Sequence, residues 1–366
     1  MLSRIKSNLR TLYYFLLRLR QQGYKTHWIL LYHAPKVVLS RLYAKLARKI
    51  NAKLLTPIIN HNLLRKFHQS HENELGQHFY LIVMPGVLHF LIPCLHLIPK
   101  KIPLFLLFNG TKEWEVQYLK KHFPNIPGLR LKTLPASSLP HGDLLTLLLK
   151  TNNKNFGILD HDLYLFDEAV FNNLEFKKDE FMRAIFPEQS EITGFTYPHT
   201  CFLFFNVAII SRLMNRYKIN ANLYKKVPAR LKDKLSSIGL TNGVFLKDYH
   251  NFFDTLHLLL AMAFTEKLKV GYIELKYPSK TIHVGGTSIG DYITKDLPDI
   301  YVRLRFLELI NDPSLFKQYA YLYKRFKHSA EIVPLMAKTP RIIYLLNIID
   351  ILIHQLEDGS NREKTT

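Results

Sequence analysis

Phe156-Gly157-Ile158-Leu159-Asp160-His161-Asp162-Leu163-Tyr164-Leu165-Phe166-Asp167 is an apolar run interrupted by two aspartates one residue apart. Its first four residues have the length and composition of a buried strand. Side chains at i and i+2 of a strand share a face, so Asp160 and Asp162 are expected to converge at the strand's carboxyl end. Two convergent carboxylates repel each other unless something positive lies between them, and a hard divalent cation with oxygen ligands meets that need. Aspartates also open turns, which is the plainer reading of a lone Asp-x-Asp. Placement favours the ligand reading, because sites in open α/β sheets form outside the carboxyl ends of the strands.

Towards the N-terminus, the stretch Phe79–Pro99 carries no formal charge but contains Pro85-Gly86, Pro93, His89 and His96. It reads as a strand (Phe79–Met84), a turn and a helix rather than a membrane span. Ile102–Phe108 reads as a second buried strand and Asn109-Gly110-Thr111 as a turn, with Thr111 capping a helix from Lys112 to His122. A strand near Leu129–Leu134, a loop Pro135–Gly142 and a helix near Asp143–Lys150 complete the run. Apolar strands interleaved with helices imply a mostly parallel central sheet with helices on both faces.

Towards the C-terminus, Phe195–Tyr197 and Cys201–Phe205 read as strands around Pro198-His199, with Asn206 ending the second. A helix over Ile209–Tyr217 and a basic connector or helix over residues 223–240 follow. Phe252–Phe264 is expected to be an apolar helix headed by Asp254, and Val270–Leu275 another strand. Ile300 to Leu356 is basic and helical in pattern, and the chain from Asp358 is a polar tail.

The formal charge of +21 and pI near 9.7 imply an acidic partner: nucleic acid, an anionic membrane surface or phosphorylated substrates. No Asp or Glu precedes Glu72, and basic residues alternate there with apolar turns such as Trp28-Ile29-Leu30-Leu31-Tyr32. That pattern fits a surface-lying amphipathic helix and equally a basic helical pair packed on the main domain. Cys94 and Cys201 both sit in apolar runs and read as buried hydrophobes in a reducing compartment. Basic residues interrupt every early apolar run, which argues against a signal peptide.

His283-Val284-Gly285-Gly286-Thr287-Ser288 is the second chemical feature: an imidazole beside backbone that approaches an anion closely. The order of Asp-x-Asp, an aromatic strand ending in Asn206, Phe253-Asp254-Thr255 and then His283-x-Gly-Gly-Thr-Ser resembles the GT-A class of nucleotide-sugar glycosyltransferases over roughly residues 76–290. Leu159-Asp160-His161-Asp162 is similar to the glycogenin and lipopolysaccharide-glucosyltransferase pattern. The resemblance implies an α/β, GT-A-like fold with basic helical extensions at both ends. It also implies Mn2+ or Mg2+ held by Asp160, Asp162 and His283 against the donor diphosphate, and Asn206 near the donor sugar. Pro85, Gly86, Asn109, Asp160, Gly285, Gly286, Thr287 and Ser288 would line the donor site, and Asp254 would act as base if the reaction inverts. Val207-Ala208 after Asn206 and the missing Gly-x-Lys-Pro-Trp tail after His283 depart from the pattern. Phe253-Asp254-Thr255 and Gly-Gly-Thr-Ser look closer to bacterial envelope glycosyltransferases, which leaves retention or inversion open.

The resulting expectation is transfer from a nucleoside-diphosphate sugar to a saccharide or glycolipid acceptor of a cell envelope. The protein would be cytoplasmic, peripheral on the inner membrane face, and would bind no nucleic acid. Its domains would be a basic helical segment (1–75), a catalytic domain (76–295), a helical region (296–356) and a tail (357–366). A nucleotidyltransferase on a related sheet is one rival, although Met84-Pro85-Gly86-Val87 lacks the glycine- and arginine-rich signature of that class. A nucleic-acid-binding protein is the other; it would account for the charge but gives the aspartate pair no use.

Overall fold

The computed structural model describes residues 34–172, 174–240, 243–248, 252–275, 281–285, 297–322, 343, 347–352 and 354. The chain divides into two compact units, one of Ala47–Pro85 with Cys94–His283, the other of Met1–Leu46, Gly86–Pro93 and Val284–Thr366.

The larger unit is built on a seven-stranded sheet in the order β10-β6-β9-β4-β1-β2-β3. Its strands are β1 (His78–Val83), β2 (Leu104–Phe108), β3 (Gly128–Arg130), β4 (Phe156–Leu159), β6 (Glu180–Ala184), β9 (Phe202–Phe205) and β10 (Lys269–Tyr272). β1 runs parallel to β2 and β4, β2 to β3, and β6 to β10; only β9 is antiparallel to its neighbours β4 and β6. Two small antiparallel pairs stand outside this sheet: β5 (Leu163–Leu165) with β11 (Thr281–His283), and β7 (Pro187–Gln189) with β8 (Thr196–Pro198). The expected mostly parallel α/β sheet is therefore present.

Its strands are apolar on both sides because both sides are covered. On one side Tyr80, Phe105, Phe156, Leu203 and Phe205 share a buried cluster with Leu144 and Leu148, and with Ile210, Leu213 and Leu258–Ala261. These helical residues belong to α5 (His141–Thr151), α6 (Val207–Tyr217) and α8 (His257–Thr265). On the other side Phe79 is ringed by Phe171, Phe202 and Phe204, at centroid distances of 5.2, 5.4 and 5.6 Å.

The N-terminal basic stretch is described from Ala34, residues 1–33 lying outside the described residues; there α1 (Ala34–Ile50), a wide-turn π-helical segment (Asn51–Asn60) and α2 (His61–Ser70) run end to end. Pro57, which has no N–H to give, lies inside the wide turns. From Ala47 onward this segment belongs to the sheet-bearing unit, held by buried amides. Asn60 donates to the Lys132 carbonyl and accepts from its N–H at 2.9 and 2.7 Å, and Asn51 accepts from Leu134 N–H at 3.0 Å. Further along, the Tyr80 hydroxyl joins His68, His78 and Asn152 in one buried polar group, tying α2 to the edge of β1. Burial holds His78 far down, at about 3, and His68 at about 4, so both rings are neutral.

Several boundaries differ from the sequence reading. The turn after β2 leads into α4 (Glu113–His122), and its N-cap is Lys112, because the Thr111 hydroxyl is drawn back to the Val83 carbonyl at 2.6 Å. The strand expected over Leu129–Leu134 is only Gly128–Arg130; beyond it, the Lys132 and Leu134 backbone bonds to the two asparagines instead. α8 starts at His257, not Phe252: Leu256 adopts a left-handed φ of 68°, and Asp254 lies in the preceding turn.

In the smaller unit, α9 (Leu297–Ile310) buries Arg303, whose guanidinium lies over the Phe90 ring and bonds to the Gly86 carbonyl and His89 Nε2. α10 (Pro313–Gln318) follows, started by the Asp312 carboxylate. α3 (Leu88–Leu97), of which residues 88–93 belong to this unit, accommodates Pro93. No helix among the described residues is long and apolar enough to cross a membrane.

Candidate metal centre

The aspartates do not converge by strand pleating. β4 ends at Leu159, and Asp160-His161-Asp162 forms a turn closed by Leu163 N–H onto the Asp160 carbonyl at 3.3 Å. The chain then enters β5, which pairs with β11 in a register that sets His283 opposite Leu163, the residue after Asp162. A late strand thus returns to the turn from more than a hundred residues away. His283 Nε2 comes within 3.4 Å of Asp162 Oδ1 and 3.7 Å of Asp160 Oδ2. One ligand atom from each of the three lies within 4.8 Å of the others.

The electrostatics match crowded carboxylates. Asp160 is held well above the ordinary carboxylate range, by burial first and then by the Asp162 charge, with His283 opposing. At His283, burial disfavours the charged ring, but the Asp162 hydrogen bond and both carboxylate charges outweigh it, and its pKa is raised. The site attracts positive charge, and two carboxylates with an imidazole form a donor set suited to Mn2+ or Mg2+.

The floor of the turn comes from the strand beside it. Asp160 N–H donates to the Cys201 carbonyl at 2.9 Å, just before β9, and the His199 ring faces His283 at 5.9 Å between centroids. His199 Nε2 is 2.5 Å from Glu188 Oε1 on β7. Burial lowers the His199 pKa, aided by the charges of His283 and Lys247 and opposed by Glu188. Sequence reading missed His199, Glu188 and Lys247. Cys201 passed for core filler because its thiol is buried, although it also lies among possible ligands.

The other expected site residues have local partners of their own. Asn206 is the N-cap of α6: its oxygen accepts from Ile209 N–H and its amide donates to the Glu180 carbonyl. Asn109 is fully buried, its amide bonded to Leu139 N–H and carbonyl at 2.7 and 3.0 Å. Asp254 accepts from Thr255 N–H and lies 3.5 Å from Lys247 Nζ. His141, which begins α5, is pushed down to about 4 by burial, with the Asp254 charge opposing. Pro85 follows β1, and Gly86 and Gly285 take left-handed φ of 78° and 70° that only glycine adopts freely. Gly286, Thr287 and Ser288 lie outside the described residues.

Residues 59–210 match the family model of the StrH glycosyltransferase N-terminal domain. The matched stretch holds Asp160, Asp162 and Asn206; Asp254 and His283 lie beyond it. No curated protein matches the chain. Among solved structures, mannosyltransferase PcManGT from Pyrobaculum calidifontis, in complex with GDP-Man and Mn2+, is similar at 10% identity and a TM-score of 0.34. That likeness covers 81% of this chain and 92% of that one. The glycosyltransferase GlyE of Streptococcus pneumoniae TIGR4 is similar at 13% identity and a TM-score of 0.32, over 54% of this chain and 45% of that one. The family match supports glycosyl transfer, and so an enzyme, as the class of chemistry.

Proposed function

We propose that this protein moves a sugar from a nucleoside diphosphate to a saccharide or glycolipid acceptor, with Asp160, Asp162 and His283 holding Mn2+ or Mg2+. The observation that carries the reading is the meeting of those three side chains, within 4.8 Å, across more than a hundred residues of chain. These three residues would hold the cation, which would supply Lewis-acid stabilisation to a departing diphosphate. Asp162 is the buried anchor of the set; Asp160, half-buried, is the carboxylate that remains reachable from solvent. His283 balances the pair. Asp254 is the base of an inverting reaction in this reading: it takes the acceptor hydroxyl's proton, and Lys247 orients its carboxylate.

A membrane-borne acceptor fits the surface of the N-terminal helices. In α1, Leu39, Leu42 and Leu46 are all more than half exposed, alongside exposed Lys45. Apolar and basic side chains displayed together are what an anionic lipid surface receives.

Asp162→Asn tests the core of the proposal, because it keeps the shape and removes the charge. Metal-dependent donor turnover should fall by more than the roughly 10–100-fold typical of losing an outer-shell partner, with the melting temperature intact. Unchanged metal-dependent turnover would remove the chemical basis of the assignment.

A further inference from the structure

We propose that His199, Cys201 and His283 form a second, softer cation site that takes a thiophilic divalent ion of the Zn2+ or Co2+ kind. The donor atoms of these three residues lie within 4.8 Å of one another, as those of the carboxylate set do, and the two sets share the His283 ring. Two imidazoles and a thiolate prefer softer ions than Mg2+, and three protein ligands leave a fourth tetrahedral position for water.

The surroundings are those of a built ligand set. Glu188 Oε1 lies 2.5 Å from His199 Nε2, a carboxylate–histidine pairing of the kind that fixes a ring's tautomer and orientation. The Cys201 carbonyl accepts Asp160 N–H, so the strand end bearing the thiol is fastened to the aspartate turn. Cys201 forms the floor at 1% exposure, while the His199 and His283 side chains, 42% and 19% exposed, open the set to solvent. Binding would turn the Cys201 thiol into a metal-bound thiolate and release one proton to solvent.

Sharing one ring makes the two sets compete. An ion on His199, Cys201 and His283 draws the imidazole away from the aspartates and sets a dication beside the place where the hard cation would lie. Zn2+ is then an inhibitor of Mn2+- or Mg2+-dependent turnover. That consequence rests on the proposed function; the binding itself does not.

The test is a Co2+ titration of the metal-free full-length protein, followed by the thiolate-to-cobalt charge-transfer absorption in the near ultraviolet. The band should appear with one equivalent, vanish in Cys201→Ser, weaken at least tenfold in apparent affinity in His199→Gln, and persist in Cys94→Ser. Should Cys201→Ser fail to fold, His199→Gln, at a half-exposed position, decides alone. No band in the unaltered protein, a band that survives Cys201→Ser, or one lost with Cys94→Ser overturns the proposal. Asp162→Asn separates the two readings, since it should retain the cobalt band even if the protein proves to transfer no sugar.

Discussion

Gly157→Ala tests how the strand that carries the aspartate turn is packed. Gly157 pairs with Phe79 on one side and Phe204 on the other. A Cβ there would meet Phe79 Cε1 at 2.1 Å and Cδ1 at 2.3 Å. Carbon–carbon contacts are most favourable near 3.5–4.0 Å, so the ring would have to retreat by roughly an ångström or more. Phe171, Phe202 and Phe204 close its ways out. Overpacking of this kind costs about 1–3 kcal/mol, and replacing a strand glycine by alanine returns about 0.5–1 kcal/mol. Because a 2.1 Å contact puts the overpacking in the upper part of its range, the net expectation is a loss of about 1–2 kcal/mol, read as a lower urea midpoint at unchanged slope. Phe79→Leu should cost stability alone yet partly rescue Gly157→Ala, with a coupling of about 1 kcal/mol in a double-mutant cycle. An unchanged midpoint for Gly157→Ala, or strictly additive losses, would refute the packing argument.

Asp254→Asn should lower transfer by roughly 10²–10⁴-fold and leave donor affinity unchanged, as measured by turnover and calorimetry; transfer within a few-fold of normal would return Asp254 to a partner of Lys247 only. Acid should destabilise the fold early. His68 and His78 are neutral inside it, at about 4 and about 3, whereas the unfolded chain takes up protons below the ordinary 6.5. Their contribution is therefore intact above pH 6.5 and is lost as pH falls towards 4 and then 3, on the order of 1–2 kcal/mol per ring at pH 5. A melting temperature flat between pH 7 and 5 would contradict it. Anionic liposomes should co-sediment the protein, less so in high salt, and the triple change Leu39→Ser, Leu42→Ser, Leu46→Ser should abolish it; equal sedimentation of both forms would end the membrane reading.

Much of the sheet was legible because its strands are continuous apolar runs punctuated by Pro-Gly and Asn-Gly turns, and burial on both sides demands that pattern. β7 was not legible: Pro187-Glu188-Gln189 is three residues long and carries no apolar signal. The Asp160–Asp162–His283 trio could be named in advance through the resemblance to GT-A glycosyltransferases, yet the reason for its convergence could not. The expected pleat is a turn, and the β5–β11 pairing that delivers the histidine depends on three-residue strands. His199 and Cys201 stayed hidden for a related cause, since neither a lone histidine after a proline nor a cysteine before four apolar residues marks a ligand in one dimension. Asn51 and Asn60 are more telling. Polar residues in a basic helical stretch look solvated, and only their bonds to Lys132 and Leu134 show that the stretch from Ala47 on is part of the sheet-bearing unit. Removing everything before Glu72 would therefore damage this unit, which is why the liposome test uses substitutions.

The pairing of β11 with β5 also sets a timetable on the ribosome. About 120 residues separate Asp162 from His283. At roughly 5–20 residues per second, the aspartate turn is synthesised some 6–24 s before its imidazole. Over that interval the sheet from β1 to β9 has its strands in hand, while the carboxylate pair must rely on a proton or a captured cation for relief. A long-range closure of this kind is a slow, late step in folding. The nascent chain therefore holds its aspartate pair complete well before the imidazole that comes to face it exists.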